Sequence, residues 1–461
     1  MLTGKPKAYV GGQLRSAQVL ADLHRRDFVY DIAVDPSSRH AAFSHLAAKV
    51  FRLNIYGGTS TNGDLLVPPI QELSDGEINP NEFDVEAVCF LPDGQHIASV
   101  SYDHQVRLFD LTGKVVASYA TEEKLDSVAC SPDGKFVVAG SEHGLLTVLS
   151  ANDLSFGSDL RAHGDMVRAL AFADDGTLWS GSWDKQVRSY SLATEPKQIT
   201  EVRIHYERPN SLTTLHALID GKAAVELAVD KRSPNITLSP DAARRAGIDV
   251  SFAKDHIQQM SPAGMIELPL IHDQTLQFKN LTLQHIDVVV CQNCQPQGID
   301  GLLGQNFLEA YELVLNEANQ EVVLRLKDPS QAQTLNVPTL KVKATWPMPG
   351  FVQDLTVDRS GDRLGVAIGE TRAERSLALY KREKAGDVEP EAAGNFGAII
   401  DAKSGQVVER HGEHHGIVST AAISPDGHSL ATGGWDKSLF LYSGSDQPAA
   451  TFRYGWSVRK V

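Results

Sequence analysis

"VRALAFADDGTLWSGSWDKQVRSYS" (167–191) and "VSTAAISPDGHSLATGGWDKSLFLYS" (418–443) match almost position for position, although they lie far apart in the chain. Each holds short runs of alternating apolar and polar residues, the period of a half-buried strand, broken by Asp-Gly and Trp-Asp-Lys turns. Two more copies precede the first, "VEAVCFLPDGQHIASVSYDHQVRLFD" (85–110) and "LDSVACSPDGKFVVAGSEHGLLTVLS" (125–150). Their turn glycines and that of the third unit, Gly94, Gly134 and Gly176, stand 40 and 42 residues apart. Weaker copies occupy 29–54 and 352–370. None of these segments carries sustained helical periodicity. A step of about 40–45 residues with four strands per unit is the signature of a propeller blade.

The repeats resemble those of the WD-repeat β-propellers, over about 8–200 and 346–461. The resemblance implies an all-β fold, a six- or seven-bladed propeller. It also implies a hydrogen-bonded set in each blade: a His ahead of it, a Ser or Thr on its second strand, an Asp in the next turn and an aromatic on its third strand. His163, Ser180, Asp184 and Tyr190 match that set, as do His414, Thr432, Asp436 and Tyr442. Tyr replaces the usual Trp. In the unit from 85, Ser99, Asp103 and Phe109 match without a His. The role so implied is structural: buried polar groups satisfied inside a blade, not a Ser-His-Asp catalytic device. "AYVGGQL" and "AQVLADL" near the start and "GWSVRKV" at the end have no repeat of their own. They are expected to close the last blade or to build part of a seventh, since an open ring leaves a bare strand edge.

The ring is interrupted. From Asp174 to its equivalent Arg359 is 185 residues, where one repeat would take about 42, so about 140 are extra. This reading divides the chain into 1–200 (propeller, about four blades), 201–345 (an inserted domain with linkers) and 346–461 (about two blades plus closure). The break is expected between the last strand of one blade and the first of the next. On that reading the insert and the charged segment around 371–395 emerge on the same face of the ring.

Inside the insert, "LTTLHALIDGKAAVELAVD" (212–230) reads as two strands around an Asp220-Gly221 turn. "SPDAARRAGI" (239–248) reads as a Ser-capped helix ended by Gly247. Further strands follow, giving a small, mainly β domain. "VELAVDKRSPNITLSPDAARRAGI" (225–248), then "IDVVV" (286–290) and "IDGLLGQNFLEAYELVLNEANQEVVLRL" (299–326), resemble the retropepsin-like aspartic peptidases over about 205–330. In that family the catalytic motif is Asp-Thr-Gly-Ala-Ser, followed after three residues by Leu-Ser. Setting Leu238-Ser239 on that Leu-Ser carries Asp230 onto the catalytic position without a gap. Lys231, Arg232, Ser233 and Pro234 then replace Thr, Gly, Ala and Ser.

These replacements are severe for the chemistry. Aspartic peptidases need two carboxylates about 3 Å apart that share one proton. Lys231 has no neutral hydroxyl to join the loops, and Arg232 adds bulk and charge where a bare backbone is wanted. Two cations beside the Asp work against a shared proton, and Pro234 removes a backbone donor. The expectation is a degenerate catalytic motif, with Asp230 the catalytic residue only if the domain is active.

Bulk properties set the remaining bounds. The 461 residues carry a formal charge of −15, which argues against nucleic-acid or anionic-membrane binding. The first residues, "MLTGKPKAYVGGQLRSAQVL", hold no uninterrupted apolar run, so a secretory signal is not expected and a cytoplasmic location is. No stretch approaches the roughly 18 apolar residues that cross a bilayer. Four cysteines are too few and scattered for a disulfide scaffold, and "CQNC" (291–294) is read as reduced thiols after a strand. No metal site is expected, because His272 and His285 do not complete a set with Cys291 and Cys294. In "HGEHHG" (411–416), His414 belongs to the blade pattern and leaves His411 and His415 without one. No cofactor is expected. The functional expectation is a non-catalytic protein-interaction scaffold that binds protein or peptide partners and can form a homodimer through the insert. Its alternative is a homodimeric aspartic endopeptidase whose propeller recruits substrate.

Overall fold

The structure is a computed structural model that describes residues 7–10, 13–16, 29–36, 40–45, 49–54, 71–73, 85–205, 213–220, 223–261, 264–279, 281–292, 294–296, 298–316, 321–369, 395–412, 414–445, 447–453, 458 and 460. They fall into two units, Met1–Ala193 with Pro338–Val461, and Thr194–Val337.

Among the described residues of the first unit the alternating runs become six four-stranded sheets, each with its strands in sequence order, and a separate two-stranded hairpin, Lys7–Val10 with Gln13–Ser16. The six sheets are propeller blades. Their opening strands are Val29–Val34, Val85–Phe90, Leu125–Cys130, Val167–Phe172, Phe351–Val357 and Val418–Ile423. The first turn of a blade recurs because its geometry asks for two residues. Gly94, Gly134, Gly176 and Gly427 have φ of 62°, 71°, 82° and 73°, the left-handed region that suits glycine. Ahead of each, Asp93, Asp133, Asp175 and Asp426 accept from the backbone N–H of Gln95, Lys135, Thr177 and His428, at 2.8, 3.1, 2.8 and 3.1 Å.

Val85, Leu125, Val167, Val352 and Val418 lie at the start of the opening strands and are at most 1 % exposed. A β-bulge follows each of them. Nearby polar side chains then join blade to blade. Arg168 donates to Asp126 at 2.6 Å, with both side chains buried, Trp183 donates to Gln353 at 3.2 Å, and Thr420 to Asp354 at 2.7 Å. The second strand stays small where the next blade's aliphatic residue arrives. A Cβ on Gly140 would stand 2.9 Å from Val167, and one on Gly181 2.4 Å from Val352. Gly433 meets Val458 in the same way, at 2.5 Å, and Val458 donates to the Gly434 carbonyl at 3.0 Å. Val458 thus stands against the sixth blade as the opening residue of a following blade would. Lys460 pairs with Asp354 at 2.9 Å and with Asp31 at 3.5 Å.

Blade 4 corrects the expected place of the interruption. Its sheet takes Val167–Phe172, Leu178–Ser182 and Gln186–Ile199, and its fourth strand is Gln333–Pro347, beyond the insert. The insert divides this blade between its third and fourth strands rather than one blade from the next. Fourth strands carry too little pattern to announce themselves: in Val115–Ala120 and Ala450–Arg453 no residue is buried. Successive strands run antiparallel, so third-to-fourth links leave a blade at the end opposite to second-to-third links. The same-face expectation for the insert and 371–395 falls on residues outside those described, since 370–394 are not among them.

The second unit is the mainly β domain expected. Its seven-stranded sheet runs in the order Thr214–Ile219, Ala223–Val229, Gly301–Leu303, Ile236–Leu238, Leu281–Val290, Gly264–Phe278 and Asp255–Ser261. Thr214–Ile219 also pairs with Gly264–Phe278, so the sheet curls back on itself. A three-stranded sheet holds Glu201–His205, Glu321–Leu326 and Tyr311–Asn316. Helix α1 (Pro240–Arg245) is capped by the Ser239 hydroxyl, which accepts from the Ala242 N–H at 3.0 Å, and Gly247 at φ 75° ends it. Helix α2 (Gln305–Ala310) follows Gly304. Leu215, Leu227, Leu238, Leu276, Phe278, Leu303, Phe307 and Leu324 share one core, each at most 1 % exposed.

Candidate functional site

The loop after Ala223–Val229 is held by a strand threaded between its two arms. Gly301–Leu303 pairs in parallel with Leu227–Val229 on one side and antiparallel with Thr237–Leu238 on the other. Only glycine fits the crossing. A Cβ on Gly301 would come 2.0 Å from the Thr237 carbonyl oxygen, and one on Gly304 2.2 Å from that of Asn235. The Asp230 N–H donates to the Leu303 carbonyl at 3.1 Å, and the start of α2 clamps the far side of the loop. There the Gln305 N–H donates to the Ser233 carbonyl at 2.8 Å. The Asn306 side chain accepts from the Ile236 N–H at 2.9 Å and donates to the Asp287 carbonyl at 3.2 Å. The sequence held a signal for these clamps, the Gly301–Leu308 run, but not their roles.

At the head of this frame, Asp230 Oδ1 accepts from the Arg232 backbone N–H at 2.9 Å and from its guanidinium Nε at 3.2 Å. The Asp230 side chain is 26 % exposed and that of Arg232 91 %. The guanidinium is therefore an external cap on the carboxylate, not a buried wall. Gln305 Nε2 donates to the Lys231 carbonyl at 3.1 Å. This loop offers one carboxylate, with one of its oxygens already engaged by two donors.

The structure brings together His163, Ser180, Asp184 and Tyr190 in blade 4, and His414, Thr432 and Asp436 in blade 6. His163 Nδ1 meets Asp184 at 2.9 Å and its Nε2 meets the Ser180 hydroxyl at 2.6 Å, while that hydroxyl lies 3.0 Å from the Tyr190 hydroxyl. Burial pushes the Asp184 carboxyl up, but His163 and the Gly164 N–H outweigh it and leave it below the usual range. Burial also pushes the Tyr190 hydroxyl up, to about 12. In blade 6, His414 meets Asp436 at 3.0 Å and Thr432 at 2.8 Å, and Tyr442 stacks on His411 with ring centroids 4.0 Å apart. The Asp436 carboxyl is raised by burial but lowered more by His414 and by the Ser438 N–H. His415 contributes its backbone N–H to Asp436 at 3.0 Å.

The cysteines depart from expectation. All four are paired, Cys89 with Cys130 and Cys291 with Cys294. Cys89 and Cys130 are 41 residues apart, one blade step, so the repeat itself sets them side by side on adjacent opening strands. Cys291 and Cys294 close a short loop with Cα atoms 5.6 Å apart, within disulfide reach. His272 and His285 are taken up by carboxylates instead. His272 lies 2.8 Å from Asp287 and 3.1 Å from Asp255, and His285 pairs with Asp273. The hydrogen bond that His272 donates to Asp287 chiefly, with Asp255 adding to it against desolvation, raises the His272 imidazole above its usual value. Among the described residues no group of three or more His, Cys, Asp or Glu is placed to hold a metal ion, and no helix is long and apolar enough to cross a membrane.

Fold and site together define a WD40-repeat β-propeller that carries a retropepsin-like aspartyl-protease domain. Comparison with known families gives the same two parts. The family described as WD domain, G-beta repeat matches residues 76–110, 155–191 and 405–443, and the family described as aspartyl protease matches 215–307. Among curated proteins, the chain is similar to a guanine nucleotide-binding protein subunit beta of Oryza sativa subsp. indica, 30 % identical over 131 residues, covering 25 % of this chain and 34 % of that protein. It is also similar to the Poly(A)+ RNA export protein of Schizosaccharomyces pombe, 30 % identical over 150 residues (30 % of this chain, 41 % of that protein). Telomerase protein component 1 of Rattus norvegicus is 27 % identical over 129 residues, 26 % of this chain and 5 % of that protein. The chain spans about a third of the length of the guanine nucleotide-binding subunits it matches.

Proposed function

We propose that this chain is a non-catalytic protein-interaction scaffold, a propeller whose aspartyl-protease-type domain is kept for binding or self-association. The Asp230 loop carries the reading. Hydrolysis by this class needs two carboxylates sharing a proton, and Lys231 and Arg232 stand where Thr and Gly serve that pair. Arg232 occupies Asp230 Oδ1 from within the same loop. A propeller supplies a rigid ring on which exposed loops vary, and WD repeats support protein or peptide partners. A charge of −15 gives no general attraction to nucleic acid or anionic membrane. A cytoplasmic location is our proposal, and the two disulfides are the observation that favours an oxidising compartment instead. Thiol labelling of protein quenched inside its cells distinguishes the two. The scaffold reading is tested by affinity capture from native extract with the whole chain and with 205–335 excised. Loss of specific partners on excision supports it, and an unchanged partner set counts against a binding role for the insert.

The second reading, a homodimeric endopeptidase acting through Asp230, is favoured by the intact frame around the loop. Val314 and Leu315 on the edge strand Tyr311–Asn316 are 39 % and 43 % exposed, an apolar edge that self-association would cover. Light scattering at micromolar concentration reports on the dimer. A dimer mass that falls to monomer when 205–335 is excised supports it, and a monomer mass for the whole chain contradicts it.

A further inference from the structure

The strand Leu281–Val290 has two different edges. Along one it pairs with Gly264–Phe278 for most of its length, from Leu281↔Phe278 to Val289↔Leu270. Along the other it pairs with Ile236–Leu238 only through Val288, Val289 and Val290. Among the described strands, nothing pairs with residues 281–287 on that side, and the Asn306 side chain closes the Val288 end of the edge by donating to the Asp287 carbonyl.

A cavity of about 430 Å³, in the size range of ligand pockets, opens along this bare edge. All seven residues from Leu281 to Asp287 line it. A strand presenting one face to a cavity contributes every second residue, so an unbroken run means that the cavity views the strand edge-on. Leu281, Leu283 and Phe307 form an apolar floor and belong to the domain core. The opposite wall carries Ala310 at the end of α2, with Tyr311 and Gln333. Ala310, Gln284 and His285 are exposed. A β-bulge with His285 at φ 56° interrupts the pairing beyond Gln284, and such a break limits a strand edge to short guests.

Among the described lining residues Asp287 is the one carboxylate, and none is a lysine or arginine. Asp287 meets His272, which Asp255 also holds, and His285 pairs with Asp273, while Asp255, Asp273 and His272 stand outside the lining. The negative charge at the groove therefore rests on Asp287, which suits a lysine or arginine on the guest.

We propose that this groove is a peptide-docking site that takes a short extended segment of a partner protein by strand addition, with apolar residues on the Leu281–Leu283–Phe307 floor and a lysine or arginine at the Asp287 rim. Strand addition takes affinity from the backbone and selectivity from alternate side chains. The proposal rests on the scaffold reading of the insert and names the class of partner it binds.

The test uses the full chain and a fluorescent octapeptide of alternating valine and lysine, with two twins: one N-methylated at alternate amides, one with glutamate for lysine. Binding is followed by anisotropy, and amide exchange is measured with and without peptide. The expected result is saturable binding of the valine–lysine peptide, with new protection confined to residues 281–287. Affinity should fall about tenfold or more for either twin. It should fall similarly in Ala310→Arg, where an exposed site is filled with bulk and positive charge. Equal affinity for the methylated twin, or protection elsewhere, would show charge attraction alone and overturn the site, as would absence of binding. Mass spectrometry of the recovered peptide keeps the two readings apart. An intact but unbound peptide defeats the groove only, while a peptide cut by the wild type and not by Asp230→Asn defeats the scaffold reading.

Discussion

Asp184 and Asp230 are both aspartates held by a basic neighbour, and they differ in what surrounds the pair. Asp184 meets His163 inside a chain of contacts that runs on to Ser180 and Tyr190, with the His163 side chain fully buried. Asp230 meets Arg232 at the rim of a loop, and the guanidinium stands 91 % in solvent. The same charge pairing therefore does different things. In the blade it satisfies polar groups that have no water to turn to, and removing a partner strands the others. At the loop it caps a carboxylate that water could reach anyway, so it adds little to stability and acts on the chemistry of the site.

The largest expected effect breaks the most enclosed ion pair among the described residues. Arg168→Ala leaves the buried Asp126 without its guanidinium and should cost the propeller about 3–5 kcal/mol, read as a lowered urea midpoint. His163→Ala strands Asp184 and Ser180 and should cost about 1–3 kcal/mol. Arg232→Ala should change stability by no more than about 1 kcal/mol, because the pair it breaks is exposed. A cost for Arg232→Ala equal to that of His163→Ala would dissolve the contrast between the two aspartates.

Titration sharpens the same contrast with smaller effects. The folded Asp184 and Asp436 carboxyls lie below their usual range. Their contribution is fully present above the unfolded value of about 3.9 and is lost as pH falls through the lower folded values. The propeller's urea midpoint should therefore drop below about pH 4, and less steeply in a His163→Ala, His414→Ala double variant. His272 titrates the other way. Its folded value is raised, so the contact it gives the insert is fully present below about pH 6.5 and lost as pH rises through the folded value. Amide exchange in Asp255–Ser261 should quicken over that window.

The blades were legible because their signal repeats. The Asp-Gly turns demand a left-handed glycine and a capping carboxylate in four of the copies, and the His163 and His414 sets follow from the same spacing. The interruption was misplaced by one strand for a related reason. The unit that repeats in sequence, such as the match over 155–191, begins with the fourth strand of one blade and ends with the third of the next. A break between two such units is therefore a break inside a blade. Asp230 was legible by alignment to Leu238-Ser239, whereas the capping geometry of Arg232 depends on a turn that spacing does not reveal. Cys89–Cys130 needed the period to be applied to cysteines, and the bare edge of 281–287 needed the sheet order, which no local pattern encodes.

The central claim is that the inserted domain binds without cutting, and peptide hydrolysis tests it most directly. The full chain and its Asp230→Asn variant are incubated with a mixed peptide library across about pH 3–7, which overlaps the range below about pH 4.7 in which paired carboxylates of the pepsin type share a proton. The account predicts the same intact library from both proteins. Cleavage by the wild type that disappears in Asp230→Asn would contradict it and make the chain an aspartic endopeptidase.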